Sequence, residues 1–156
     1  MHRAYILLGS NIHPDINNPK ALELLEKRNL LVTISGIWQI KTIASEGPDF
    51  LNVAVLIETL LTHKDLKRNV LHSIEKALRR TKGKNEYSPR TIDLDIVVFD
   101  NEVIELDIWE YGFMVLPLAE ILPDLRNPKT GDTLKQIAQR IQILSPVNNR
   151  LSNNTF

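Results

Sequence analysis

At 156 residues, with 19 Lys plus Arg balanced by 19 Asp plus Glu and a pI of about 6.9, the chain lacks the basic surplus that nucleic acid or an anionic membrane would require. It has no cysteine, which excludes disulfides and thiolate-held metals, and no apolar run of the roughly 18 residues that suggest a membrane span. Met1-His2-Arg3 leads straight into an apolar strand-like run without a signal-peptide pattern. The expectation is one cytoplasmic, monomeric domain over residues 1–156, frayed at about 148–156.

Ala4-Tyr5-Ile6-Leu7-Leu8 is too short for a helix and stops at Gly9-Ser10-Asn11, which predicts a buried strand ended by a turn. Asn18-Pro19 offers an N-cap and a first-turn proline for a helix to about Arg28, with Ala21, Leu22 and Leu25 inward. The stretch from Leu30 to Ile40 predicts a second strand and that from Phe50 to Thr59 a third, with a Gly47-Pro48 loop between them. Phe50, Asn52, Ala54 and Leu56 share one face of the third strand. Thr62-His63-Lys64-Asp65 opens a helix as a capping box with aspartate in the glutamate position. Leu66, Val70, Ile74, Ala77 and Leu78 then repeat at helical spacing to Arg80. Glu75 flanks this stripe and reads either as a solvated helix edge or as the border of a pocket. Arg79, Arg80, Lys82 and Lys84 surround Gly83. They either complement a helix C-terminus or belong to a loop that folds over phosphates.

Ser88-Pro89-Arg90 leads into Thr91-Ile92-Asp93-Leu94-Asp95-Ile96-Val97-Val98-Phe99, a strand by composition. Alternation puts Asp93 and Asp95 on one face with Thr91, and Ile92, Leu94, Ile96 and Val98 on the other. Two acids one strand-step apart are either a solvated face or a site for a cation. Magnesium suits the second reading, since it takes one or two carboxylates together with phosphate oxygens. Asp100 to Glu102 turns into a short return strand at Val103-Ile104, and the aromatic stretch from Trp109 to Phe113 covers either a pocket or the core. Leu116 to Pro123 predicts a short helix between prolines, and Thr133 caps a last helix bearing Leu134, Ile137, Ala138 and Ile141. The β-α-β-β-α-β order predicts a ferredoxin-like α+β sandwich with a mainly antiparallel sheet. Helices would cover one sheet face, leaving the other to the site and its catalytic loops. His2, His13, His63 and His72 lack zinc-ligand spacing, and Gly9-Ser10-Asn11 lacks the lysine and spacing of a Walker loop.

Taken in order, four stretches resemble the 6-hydroxymethyl-7,8-dihydropterin pyrophosphokinase family over roughly residues 4–140. They are Tyr5 to Asn11, Pro48 to Val55, Ser88 to Val97 with its Pro-Arg-x-x-Asp-x-Asp pattern, and Gly112 to Pro123. The resemblance implies transfer of pyrophosphate from ATP to the hydroxymethyl group of a dihydropterin, with release of AMP, in folate biosynthesis. It implies that Phe50 and Phe113 sandwich the pterin, that Asn52 bonds its edge, and that Asp93 or Asp95 lies near its hydroxyl. Asp93 and Asp95 would hold two magnesium ions, with Arg80 and Arg90 acting beside them in catalysis. Glu75, Lys82, Arg90 and Ile96 would contact ATP, while Gly9-Ser10-Asn11 braces the site.

Three departures accompany the resemblance. Glu105 to Tyr111 is short, acidic and aromatic, with no histidine, and Tyr111 stands where an arginine is usual. Glu86 and Ser88 replace a commonly basic residue and a glycine, and Trp38 to Thr42 departs from the usual aromatic-x-Thr-x-Pro. Pterin and metal positions are kept while the nucleotide grip is thinned, so weak ATP affinity or compensation by Arg79, Lys82 or Lys84 is expected. The alternative is a weakly active or inactive homologue that serves as a pterin- or nucleotide-binding module.

Overall fold

The computed structural model describes residues 1–40, 49–80, 92–144 and 149–151, apart from the side chain of Arg80. Within them lies one antiparallel sheet of β1 (His2–Ser10), β2 (Leu30–Ile34), β3 (Trp38–Ile40), β4 (Phe50–Thr59), β5 (Asp93–Phe99), β6 (Glu102–Val103) and β7 (Asn149–Arg150). The order is β6-β5-β1-β4-β3-β7, and β2 shares the outer edge of β4 with β3. The expected second strand is therefore two. β2 pairs with residues 55–58 of β4 and β3 with residues 50–52. The break falls where Ser35 swings in, its N–H donating to Ala54 O and its Oγ accepting from Ala54 N, both at 2.8 Å.

Helices α1 (Pro14–Glu26), α2 (His63–Asp65), α3 (His72–Arg80), α4 (Gly112–Ile121) and α5 (Leu134–Leu144) cover both faces of the sheet. This corrects the expectation of one open face. Ile6, Leu8, Val53, Val55, Ile57, Leu94 and Ile96 meet Ala21 and Leu25 of α1 and Ile74 and Leu78 of α3 in one core. Tyr5, Leu7, Ala54, Leu56 and Val98 meet Met114, Val115, Leu118 and Ala119 of α4, with Leu134 of α5, in a second core. Alternation on β1 and β4 divides these residues between the layers. On β5 a bulge opposite Tyr5 and Ile6 breaks the alternation. It moves Val98 into the second core, away from Leu94 and Ile96, because an extra residue reverses the facing of all that follow.

Helix boundaries shift for local reasons. α1 begins at Pro14 after His13, whose φ of 40° is left-handed, so the first of two usable prolines starts the helix and Pro19 lies inside it. Asn18 is consequently no cap: it is buried and its Nδ2 donates to Leu51 O at 3.2 Å, tying α1 to β4. Thr62 does cap, accepting the Asp65 N–H at 3.2 Å. Between α2 and α3, residues Leu66–Leu71 widen into a π-helical turn, where His72 N–H reaches Lys67 O. α4 starts at Gly112, four residues before the expected Leu116, because Tyr111 O accepts from both Met114 N and Val115 N. Asn149–Arg150 pairs with β3, so the polar tail expected at 148–156 begins with an ordered strand.

Asp100 and Asn101, at φ 47° and 69°, form the tight turn between β5 and β6. The Arg3 N–H donates to Asp100 Oδ1 at 2.8 Å, and the His2 ring bonds Oδ2. These bonds hold the Asp100 carboxyl below its ordinary value of 3.8. A carboxyl depressed on folding stabilises the fold above its unfolded value, and that contribution fades as pH falls through the depressed one. Asp100→Asn keeps a residue that tolerates positive φ. It is expected to be less stable than wild type at about pH 7, with a deficit that shrinks at a more acidic pH as the depressed Asp100 carboxyl takes up its proton. Urea denaturation at both pH values checks this, and an equal deficit at both contradicts it.

Candidate active site

The end of β1 and the beginnings of β4 and β5 meet at one margin of the sheet. Gly9 stands opposite Asn52 of β4 and Asp93 of β5, and Asn52 stands opposite Trp38 of β3. Residues paired across antiparallel strands point to the same face. Asp93, Gly9, Asn52 and Trp38 thus form a transverse row on the face covered by α4. Asp95, opposite Leu7, and Phe50, opposite Ile40, lie on this face one strand-step to either side. The two acids share a face as their spacing predicts, roughly 7 Å apart along the strand.

Gly9 is required by close approach. A Cβ there would lie 2.7 Å from Asn52 Oδ1 and 3.9 Å from Phe50 Cδ1. The Asn52 carboxamide lies across the bare backbone of β1, only 6% exposed, and its buried Nδ2 has no hydrogen-bond partner. Leaving such a donor unpaired costs about 1–3 kcal/mol, which a ligand acceptor beside Phe50 would offset. The turn beyond Gly9 is stiffened by Ser10 Oγ, which donates to Ile12 O at 3.0 Å, and by Asn17 Nδ2, which reaches the same carbonyl.

Asp95 is exposed and Asp93 partly so, and neither lacks an interacting partner. Glu75 of α3 approaches from the other layer, its Oε2 accepting the Leu94 N–H at 3.3 Å. Burial raises its carboxyl above the ordinary 4.5, the Leu94 bond opposes this, and the charge of Asp93 raises it further. Among the described residues no group of three or more His, Cys, Asp or Glu is placed to hold a metal ion. Asp93 and Asp95 fit a hard cation that completes its oxygen shell from a phosphate ligand, the habit of magnesium.

Phe113 opens α4, 44% exposed, and its ring stacks on Tyr111 at a centroid distance of 5.7 Å. Ile96 is buried in the first core, which leaves only its main chain to meet a nucleotide. Lys82 and Arg90, expected to contact ATP, lie outside the described residues, as does the side chain of Arg80, expected to act in catalysis. The sequence did not point to Trp38 or Glu120 as part of this region. Trp38 stood out only as a departure from a pattern, and Glu120 sits in an apolar run whose partners are remote in the chain.

Architecturally, the chain is an α+β protein with an antiparallel sheet between helical layers. The solved Plasmodium falciparum HPPK-DHPS chain has the same fold, with a TM-score of 0.73 at 11% identity over 99% of this chain and 48% of that one. Residues 5–123 match the model for 7,8-dihydro-6-hydroxymethylpterin-pyrophosphokinase (HPPK), and the chain belongs to that enzyme family. It is 31% identical to the 2-amino-4-hydroxy-6-hydroxymethyldihydropteridine pyrophosphokinase of Haemophilus influenzae over 92% of this chain and 98% of that protein. The Bacillus subtilis protein of the same name is 33% identical over 88% of this chain and 89% of its own length. The folate synthesis bifunctional protein of Arabidopsis thaliana is 35% identical over 80% of this chain, which spans only 28% of that longer protein.

If Gly9 is the floor that admits the Asn52 side chain, Gly9→Ala must displace that side chain or bend β1. A loss of about 1–3 kcal/mol of stability is expected, the range for overpacking. Chemical denaturation measures it, and an alanine variant as stable as wild type contradicts the close approach.

Proposed function

We propose that the chain transfers a pyrophosphoryl group from ATP to the hydroxymethyl group of 6-hydroxymethyl-7,8-dihydropterin, releasing AMP, as a folate-pathway enzyme acting as a monomer. The observation that carries this reading is the unpaired, buried Asn52 amide two strands from Asp93, with a bare glycine between them. Two inter-strand steps span about 10 Å, a distance suited to a bicyclic ring with a one-carbon arm. The ring edge would meet Asn52 and the arm would reach the acids. Phe50 would present one ring face to the pterin and Phe113 the other, an apolar slot with one polar anchor. The order of the four longer strands, β5-β1-β4-β2, with α1 and the helical segment from α2 to α3 as crossovers, supports a ferredoxin-like heart to which α4, α5 and the short strands are added.

In this mechanism the hydroxymethyl oxygen attacks the β-phosphorus of ATP. A new oxygen–phosphorus bond forms, the bond from the β-phosphorus to the bridging oxygen breaks, and AMP leaves with that oxygen. The hydroxyl proton passes to solvent or to a carboxylate of the acid pair. Asp93 and Asp95 would hold two magnesium ions, which supply positive charge to the triphosphate when bound. Placing the arm in line beside that charge is the chain's contribution, as in phosphoryl transfers generally. Arg80, Lys82 and Arg90 would bind the phosphates from the adjoining segment, with Glu75 and the Ile96 main chain on the nucleotide side.

One observation favours a second reading, a pterin-binding homologue with a weak nucleotide grip. Residues 102–113 contain no Lys, Arg or His. Their short helical turn, Leu106–Trp109, buries Ile108, and Tyr111 stacks on Phe113 instead of presenting a cation. Incubation with hydroxymethyldihydropterin, ATP and magnesium decides between them. Equimolar AMP and pterin pyrophosphate are expected, and no turnover with pterin binding retained establishes the binding module. Asp95→Asn is expected to lower turnover at least about a thousandfold while pterin binding persists. Turnover by this variant near the wild-type rate would remove the acid pair from the chemistry.

A further inference from the structure

Glu120 of α4 has no place in the proposed chemistry, yet both of its carboxylate oxygens are engaged by the sheet. Oε2 accepts from Trp38 Nε1 at 2.7 Å and from the Gly36 N–H at 3.0 Å, and Oε1 accepts from Arg150 Nε at 2.7 Å. A single side chain thus joins α4 to the strand next to Asn52 and to β7 beyond it. The Arg150 guanidinium lies against the bare Cα of Gly36, where an added Cβ would come within 2.5 Å of it. Gly36 admits this arrangement as Gly9 admits Asn52.

The position of this knot matters for the ring slot. Trp38, 8% exposed, is directly opposite Asn52 and on the same face. Its indole is held at the nitrogen end by Glu120, which restrains the ring across from Asn52. On α4, Phe113 precedes Glu120 by seven residues, close to two turns, so the two side chains leave the helix on the same side about 10 Å apart. Along the sheet, Phe50 precedes Asn52 by two residues and Ala54, beside Ser35, by four, which is about 7 to 13 Å of strand. Fixing α4 at Gly36 and Trp38 therefore sets how far the first turn of α4, with Phe113, stands from Phe50.

We propose that Glu120 is a positioning residue for the ring site, setting the gap between the Phe113 end of α4 and the Phe50–Asn52 strand through Trp38, Gly36 and Arg150. It touches no reacting group and acts only through these partners. The proposal rests on the pterin site described above and deepens it. It assigns part of the pterin specificity to a carboxylate outside the slot and to the strand near the C-terminus, Asn149–Arg150.

The test compares full-length wild type with Glu120→Gln, Trp38→Phe and Arg150→Gln. Calorimetry measures their binding of 6-hydroxymethyl-7,8-dihydropterin and, separately, of a non-hydrolysable ATP analogue with magnesium. Loss of a hydrogen bond to the carboxylate is expected to weaken pterin binding about tenfold. ATP-analogue affinity should stay within about twofold of wild type, a split that general destabilisation would not produce. Trp38→Phe and Arg150→Gln each remove one bond, so they keep the proposal testable if Glu120→Gln does not fold. Pterin affinity within about twofold of wild type in the folded variants overturns the positioning role and leaves the ring site standing. Wild type that binds no pterin removes the ring site itself, and this role with it.

Discussion

The absence of a side chain at Gly9 is the constraint on which the site depends. β1 is one of the two inner strands of the long four, and any Cβ at its Gly9 position would occupy the space that Asn52 fills. With glycine there, an amide from β4 can lie over β1 toward the acids of β5, and three strands contribute to one shallow floor. The floor is polar at its two ends and bare in the middle. Such a surface accepts a flat heterocycle that hydrogen-bonds at its edge and stacks on its faces.

The two cores on either side of the sheet explain why the site sits at a margin rather than on an open sheet face. α4 and α5 bury the middle of the second face, which among the described residues leaves the ends of β1, β4 and β5 beside that cover. Phe113 stands exposed in the first turn of α4, and the far end of the same helix is held by Glu120. α4 is therefore a core element and, in the proposed ring site, also one wall of the slot. A helix with packing on one side and a carboxylate knot at its end is well suited to hold a wall in place.

Much of this was legible in the sequence because it depends on local period and composition. The apolar strand at Ala4 to Leu8, the alternation that pairs Asp93 with Asp95 and Phe50 with Asn52, and the cap at Thr62 each follow from a few neighbouring residues. What was missed depends on partners distant in the chain. The break at Ser35 exists because one long strand, β4, serves two short ones. The bulge that moves Val98 reflects pairing with β1, and the ordered strand at Asn149 is held by an ion pair to Glu120. Proline misled twice in the same manner. Pro19 and Pro117 marked helix starts in the sequence, yet both lie inside helices that had begun a few residues earlier.

The proposed ring site rests on family membership and the transverse row, with Asn52 as the anchor of the ring edge. The side-chain amide resonances of Asn52 report on it directly, in a nitrogen-15 correlation spectrum recorded as 6-hydroxymethyl-7,8-dihydropterin is added. A progressive shift of the Asn52 amide pair, saturating with the calorimetric binding curve, is the predicted result. Pterin binding that leaves those resonances unmoved would place the ring elsewhere and contradict the site.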